Sequence, residues 1–323
     1  METDGLICAC VMDGKGGAKE LTWEEVVQWK SEQGPMWLHF DYTNTKAAEW
    51  ISKKSGLDEV SASALLTEES RPRATLVGGG MLVALRGVNL NPGSDPEDMV
   101  AVRVWLDDKR IISTRKRKLL SETDIVKSFE EKQGPRTTGE FIVDLAERLI
   151  SRMENTIEDI EDRVDDMEEE VIISENHALR TRLSAIRREA IMLRRYLAPQ
   201  REAMIKLQAE NLPWLSDNDK LHLRETTDRV IRYIEDLDSV RDRAAVTQEE
   251  LVNRLSEQMN TRMYVLSIVA AVFLPLGFLT GLLGINVGGI PGAENKFAFF
   301  VFILMLTLVV ILQIFIFKKK KWL

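Results

Sequence analysis

The residues best placed to handle an ion lie near the C-terminal end, in the glycine-rich stretch GLLGINVGGIPG that begins at Gly281. Its one amide, Asn286, follows a long run without charge. A ring of amide dipoles can hydrogen-bond the water shell of a dication without trapping the ion, and glycines let several chains turn and converge without Cβ clashes. Asn286 also fits a helix C-cap, and both interpretations can hold together. Glu294 is the one acid before the next apolar segment.

A dense acidic segment is the second group of residues that could handle metal ions. Of the seventeen residues from 154 to 170, ten are Asp or Glu. Carboxylate oxygens suit hard cations such as Mg²⁺, so this segment is a weak candidate for sensing divalent cations. The favoured interpretation is an ordinary solvated helix face. The candidate ligands are Glu158, Asp162, Asp165 and Asp166.

Other chemistries find little support in the sequence. The three histidines lie far apart and no phosphate loop or nucleophile motif occurs, so an enzyme and a bound cofactor are not predicted. Cys8 and Cys10, the only cysteines, are interpreted as small residues on one face of a buried strand, with a zinc-binding C-A-C pair as the weaker alternative. The net charge of −8 argues against a nucleic-acid partner.

Two charge-free runs predict transmembrane helices. One lies between Arg262 and Glu294, and the other, FAFFVFILMLTLVVILQIFIF, covers residues 297–317. Each is long enough for a bilayer core, which takes about 20 helical residues. Basic residues precede the first run, and KKKKWL closes the chain after the second. By the positive-inside rule, both termini are predicted to be cytoplasmic, and the glycine-rich turn lies outside.

One face of the first predicted span is smaller and more polar than the opposite face. Two helices cannot enclose a path for water, so any conduction requires several copies around an axis. Close packing against the second span explains the small residues equally well. The second span is bulky throughout and suits a lipid-facing outer ring. The members of the small face are Asn260, Met263, Ser267, Ala270, Leu274, Gly277 and Gly281.

The residues before the spans predict an α/β domain followed by long helices. Up to about residue 137, short strands of a mostly antiparallel sheet alternate with helices near residues 23–31, 45–55 and 119–132. Apolar residues from 150 to 171 then step by three and four along one long helix, and a second seam from Leu179 to Leu197 makes an antiparallel hairpin. Pro199 is predicted to kink that second helix. A third helix, N-capped by Ser216, runs to residue 284 over about 100 Å.

This arrangement, with its G-x-N turn, resembles the CorA family of divalent-cation transporters. Gly284-Ile285-Asn286 stands where that family typically carries G-M-N, and Ile285 with the following VGGIPG looks like the zinc-associated ZntB branch. The segments ESRPR, STRKRK and RRYLAPQR, which begin at residues 69, 113 and 194, also look like that branch. The resemblance covers essentially the whole chain. It implies a homopentamer with a CorA-like cytosolic funnel, the first span lining the pore and Asn286 at its outer mouth.

The fold class predicted in this way is an α+β cytosolic domain followed by long coiled-coil-like helices and two transmembrane helices. Seven segments result: a cytosolic α/β domain (1–137), a helical hairpin (138–215), a cytosolic stalk (216–263), a pore-lining span (264–284), an outer loop with the G-x-N motif (285–296), a second span (297–317) and a basic cytosolic tail (318–323).

The predicted function is transport of divalent cations across a bacterial inner membrane, with Zn²⁺ uptake favoured, with or without proton symport. The alternatives are a Mg²⁺, Co²⁺ or Ni²⁺ channel, zinc efflux, and a membrane-tethered sensor without transport. The predicted partners are other copies of the chain, the lipid bilayer and divalent cations.

Overall fold

The computed structural model describes residues 4–68, 71–174, 176, 178–284, 292 and 295–320. The chain divides into two compact units, Met1–Gln248 and Glu249–Leu323.

The first unit contains one seven-stranded sheet in the order β2-β1-β3-β7-β6-β5-β4. The pair β3–β7 is parallel and the other five pairs are antiparallel, which confirms the predicted mostly antiparallel sheet. Strands β4 and β5 form a hairpin, and Gly78 and Gly79 in its turn have φ of 61° and 79°, which favours glycine there. The strands are β1 (Leu6–Met12), β2 (Ala18–Glu20), β3 (Met36–Asp41), β4 (Arg73–Val77), β5 (Gly80–Gly87), β6 (Val100–Leu106) and β7 (Arg110–Arg115).

Three helices belong to the first unit's α/β region: α1 (Trp23–Gln28), α2 (Thr45–Lys53) and α3 (Glu59–Leu66). Residues of all three join the strands in one buried apolar cluster. The sequence predicted α1 and α2 but not α3 or the short strand β2. A local cap explains why α3 begins at residue 59, because Asp58 accepts hydrogen bonds from the Ser61 N–H (3.0 Å) and hydroxyl (2.6 Å).

Two further helices, α4 (Leu120–Glu130) and α5 (Thr138–Ser151), pack around the aromatic side chain of Trp37 on β3. The Trp37 ring centroid lies 6.4 Å from that of Phe129 and 4.9 Å from that of Phe141. All three side chains are buried, so these rings connect α4 and α5 to the sheet.

The prediction of one unbroken helix through residues 150–171 is wrong. Helix α5 ends at Ser151 and α6 (Glu154–Ile173) begins after a turn at Arg152 and Met153. Arg152 also donates to Asp124 of α4 at 2.8 Å. The turn lets α5 pack on α4 and the sheet while α6 packs on the next helix. The apolar spacing passes through the turn without interruption, so it carried no signal of the break.

The predicted antiparallel hairpin is confirmed. Helix α6 packs against α7 (Ala178–Ala209) along two buried apolar seams. Arg163 contacts Glu189 at 2.6 Å, and Arg182 contacts Glu170 at 2.7 Å, so the two helices run in opposite directions. Helix α7 continues through Pro199.

The third long helix is confirmed as well. Helix α8 (Asp217–Leu283) is continuous over 67 residues, about 100 Å at 1.5 Å per residue. Ser216 caps it as predicted, because its hydroxyl accepts from the Asp219 N–H at 3.1 Å and its own N–H donates to the Asp219 carboxylate at 2.9 Å. The last described helix is α9 (Ala298–Lys319).

Candidate permeation site

Helices α8 and α9 are, within the described residues, the two that are long and apolar enough to cross a membrane. The apolar part of α8 is its C-terminal part, and almost all of α9 is apolar. Most of their side chains are exposed in the single chain, and exposed apolar surface of this extent is typical of segments that contact lipid or other protein.

The small face predicted on α8 is open in this structure. Met263 is 60% exposed and Leu274 is 71% exposed, whereas Ala270 is half-buried. The Ser267 hydroxyl donates to the Met263 carbonyl at 2.8 Å. The hydroxyl proton of Ser267 is therefore engaged in a hydrogen bond within the helix. Only the lone pairs of the Ser267 oxygen remain to interact with an ion.

The two glycines on this face do not pack against α9. A Cβ atom added to Gly277 or Gly281 would meet no described heavy atom within 4 Å. Close packing of the two spans within one chain therefore does not explain these small residues, although from the sequence alone that explanation was equally good. The face is left open for water or for another copy of the chain.

The contact between α9 and α8 includes a polar residue that the sequence analysis did not single out. Gln313 donates from Nε2 to the Ala271 carbonyl at 3.3 Å, and its buried Oε1 has no hydrogen-bond partner among the described residues. An amide inside an apolar run is the signal that could have identified it.

The outer-mouth residues are described only in part. At the end of α8, the Gly284 N–H donates to the Thr280 carbonyl at 2.9 Å, and an added Cβ would lie 2.8 Å from that oxygen. Ile285, Asn286 and Glu294 lie outside the described residues.

Four of the ten acids in the segment on α6 contact arginines in the described structure: Asp159, Asp165, Glu168 and Glu170. Arg243 of α8 contacts Asp165 and also contacts Glu168 at 2.6 Å. These hydrogen bonds raise the pKa of Arg243 above its usual range. Burial and the nearby Asp236 and Asp165 raise the pKa of Glu161.

Three or more His, Cys, Asp or Glu side chains do not come together as a metal-binding group in the described part of the chain. The four predicted ligands, Glu158, Asp162, Asp165 and Asp166, are all exposed. Their role in sensing stays a prediction.

A buried polar network under α4 was missed by the sequence analysis. His39 lies 2.8 Å from the Ser113 hydroxyl and 3.0 Å from Glu122, and Arg115 lies 3.0 Å from the same Glu122 oxygen. A histidine inside the apolar strand MWLHFD was the available signal. These side chains, except Ser113, line a cavity of about 440 Å³ together with Cys8 and Cys10.

The two cysteines share one face of β1, as predicted. Cys8 is half-buried and Cys10 is buried. A hydrogen bond with Cys8 and burial raise the pKa of the Cys10 thiol well above its usual range, so Cys10 is protonated at neutral pH.

Comparison with known proteins identifies the family. The family described as CorA-like Mg²⁺ transporter protein matches residues 32–320. The chain is 39% identical over 323 residues to the zinc transport protein ZntB of Pectobacterium carotovorum. The alignment covers 100% of this chain and 98% of that protein. It is 40% identical over 322 residues to the divalent cation transporter CmaX of Pseudomonas aeruginosa. That alignment covers 99% of this chain and 97% of CmaX. The chain belongs to the CorA-like transporter family and is similar to its ZntB and CmaX members.

Solved structures agree on the fold. The full-length CmaX protein superposes with a TM-score of 0.87 at 38% identity, covering 99% of this chain and 98% of that one. The CorA magnesium transporter of Methanocaldococcus jannaschii superposes with a TM-score of 0.81 at 15% identity. The superposition covers 98% of this chain and 99% of that one, which shows a shared fold. The chain therefore has the CorA-like fold predicted for it and is a membrane protein.

Proposed function

We propose that the chain transports divalent metal cations, with Zn²⁺ as the favoured cargo, through a pore on the axis of a homopentamer. The observation that carries this proposal is its similarity, at 37–39% identity over 323 residues, to proteins named for zinc transport. The open face of α8 supports a pore between copies, because one chain with two spans cannot enclose water.

In the proposed pore, the small face of α8 lies toward the axis and α9 lies toward lipid. Gly277 and Gly281, which have room beside them in the single chain, let neighbouring copies approach closely. Ser267 and Asn260 add neutral oxygen atoms along the same face.

The ion crosses the span with most of its water shell. Tetrahedral zinc sites use Cys, His, Asp or Glu, and residues 263–293 contain none of these. Asn286 then acts at the outer mouth as a ring of amides that orders the ion's waters. Glu294 forms a second ring that concentrates cations, with Lys296 partly opposing it.

The proposed membrane is the bacterial inner membrane, with both termini in the cytoplasm and transport directed inward. Proton symport would have to use pore water or groups outside the membrane, because residues 263–293 contain no carboxylate or imidazole that could carry a proton.

Zinc flux into liposomes tests the proposal. The purified full-length protein is reconstituted in liposomes loaded with a zinc-sensitive dye, and empty liposomes serve as the control. Zinc-dependent fluorescence that rises only with protein is expected, together with a pentameric mass in mild detergent. A protein that binds zinc but gives no flux of any dication would instead be a sensor, and a monomer with full transport would contradict the axial pore.

Magnesium is the second candidate cargo, because the matching family is described as Mg²⁺ transporters. The same liposomes with a magnesium-sensitive dye separate the two. Faster Mg²⁺ than Zn²⁺ flux at equal concentration would reverse the proposed preference.

A further inference from the structure

A second cavity in the unit Met1–Gln248 is lined by four basic side chains. It has a volume of about 350 Å³ and lies beside β5 and β6, where β3 and β7 end. Arg86 pairs with Ala101 and Arg103 pairs with Ala84 in the register of β5 and β6, so the two arginines share one face of the sheet at diagonal positions. The lining residues are Tyr42, Glu68, Arg86, Met99, Val100, Ala101, Arg103, Lys116 and Arg117.

Arg117 and Lys116 are exposed cations that contact carboxylates. Arg117 contacts Asp98 at 2.5 Å, and Lys116 contacts Glu68. The side chains of Arg117 and Lys116 are 42% and 52% exposed, so water screens both pairs and each can rearrange at little cost.

Arg103 is in a different position, because it is almost completely buried and is held by neutral groups. It is 2% exposed. One guanidinium nitrogen donates to the Glu68 carbonyl at 2.7 Å, and the guanidinium lies 4.9 Å from the centre of the Tyr42 ring. Its Nε has no hydrogen-bond partner among the described residues. A buried donor without an acceptor is costly, and an oxyanion is the acceptor that matches a guanidinium best.

The positive charge of the cavity also favours an anion. Burial lowers the pKa of Arg103 from its usual value, and the neighbouring cations Arg86 and Arg73 lower it further. Burial and the nearby Arg117 and Arg195 likewise lower the pKa of Arg86. The pocket therefore holds positive charge that is partly desolvated, where an anion gains more than it would in water.

We propose that this cavity is a binding site for a phosphate group, carried by inorganic phosphate or by a nucleotide. Arg103 supplies planar guanidinium donors that fit phosphate oxygens, and Arg86 adds a positive charge beside it. Lys116 and Arg117 leave their exposed carboxylate partners to complete the shell. The volume lies at the lower end of the range for small-molecule sites, about 300–1,000 Å³, which suits a single phosphorylated metabolite.

Calorimetric titration of the full-length protein in detergent tests this site. The probes are inorganic phosphate and ADP, each in metal-free buffer at constant ionic strength set with chloride. Saturable binding of at least one probe is expected. Lys116→Gln should weaken it about tenfold, the loss of one charge-assisted contact, and Arg103→Gln should weaken it at least as much.

Lys127→Gln is the matched control, because Lys127 is also an exposed lysine paired with a carboxylate, Glu131, and does not line the cavity. If Arg103→Gln does not fold, Arg117→Gln takes its place. Binding of ADP but not of phosphate, lost in Lys116→Gln, would identify a nucleotide as the source of the phosphate group. Heat that a chloride titration reproduces would overturn the proposal. Absence of saturable binding of either probe up to about 10 mM, or equal binding by Lys116→Gln and Lys127→Gln, would also overturn it.

Discussion

One side chain in this molecule hydrogen-bonds the backbone of a strand in the way that a neighbouring strand normally would. The amide of Gln200 on α7 accepts from the Arg86 N–H at 2.7 Å and donates to the Arg86 carbonyl at 3.1 Å. It therefore pairs with one residue of β5 as a neighbouring strand would. Gln200 is 1% exposed, so water cannot replace it without opening the structure.

Gln200→Ala should therefore destabilise β5. Two buried backbone groups lose their partner, at a cost of about 1–3 kcal/mol. Hydrogen exchange of the β5 amides should accelerate by roughly 5- to 150-fold. Gln248→Ala is the control, since Gln248 makes a more exposed contact of 3.5 Å with Ser184. Equal exchange in both variants would mean that the paired amide contributes nothing.

A helix cap at the residue scale predicts a pH dependence. Glu25 accepts from Lys19 at 2.7 Å and from the Thr22 N–H at 2.9 Å, and these hydrogen bonds lower the pKa of its carboxyl from 4.5 to about 2. A depressed carboxyl pKa gives stability that is complete above pH 4.5 and is lost as the pH falls toward 2.

Glu25→Gln should lower the thermal midpoint at pH 7, and its difference from wild type should shrink as the pH falls below 4.5. Thermal unfolding between pH 8 and pH 3 measures this. Glu24→Gln removes the same charge from the same helix and leaves the cap intact. A Glu25→Gln difference that stays constant down to pH 3 would contradict the assignment.

At the scale of helices, opposite charges hold the acidic helix α6 to its neighbours. Arg163 of α6 contacts Glu189 of α7, and Arg243 of α8 contacts Asp165 and Glu168 of α6. Most of the acids on α6 are exposed, which agrees with the solvated face favoured from the sequence, and four of the ten also contact arginines. They connect helices while the apolar seams provide the buried core.

Arg243→Met should reduce stability by up to about 1 kcal/mol, because the pairs are partly exposed and screened by water. The loss should be largest at low salt and smaller at 0.5 M NaCl, as measured by thermal unfolding. Arg241→Met is the control, since its partners Asp238 and Asp242 lie on its own helix. A loss that does not change with salt would show that packing, and not charge, accounts for it.

The open face of α8 also belongs to this scale. Gly277→Leu should leave the single-chain fold unchanged, because Gly277 is exposed and an added Cβ meets no described heavy atom within 4 Å outside its own helix backbone. In an assembly whose copies meet at this face, overpacking costs about 1–3 kcal/mol, and zinc flux should fall about tenfold. Phe278→Leu, on a bulky exposed part of the same helix, should retain flux. Full flux in Gly277→Leu at equal protein in the membrane would remove this face from the interface and the pore.

At the scale of the whole molecule, the proposed function depends on groups that one chain supplies only once. A ring of amides or carboxylates exists only when several chains share an axis, so the proposed roles of Asn286 and Glu294 depend on assembly.

Asn286→Ala should lower zinc flux about tenfold, equivalent to about 1.4 kcal/mol, because the ring that orders the ion's water shell is lost. Ser267→Ala should have a smaller effect, since the Ser267 proton is already bonded to Met263 and water can replace the oxygen. Flux through both variants in the zinc-dye liposomes measures the difference. A larger loss in Ser267→Ala would place selectivity deeper in the span.

The sequence by itself determined the features that depend on neighbours along the chain. The lengths of the two uncharged runs predicted both spans. The spacing of apolar residues by three and four predicted the α6–α7 hairpin, and Ser216 as an N-cap predicted where α8 begins. The resemblance carried by the G-x-N turn and its topology predicted the family. The tertiary structure decided what depends on distant residues meeting. The turn at Arg152 preserves the apolar spacing, so only the packing of α5 on the sheet and of α6 on α7 reveals it. His39 and Glu122, like Arg103 and Lys116, come together through strand register and helix packing, which no local pattern encodes.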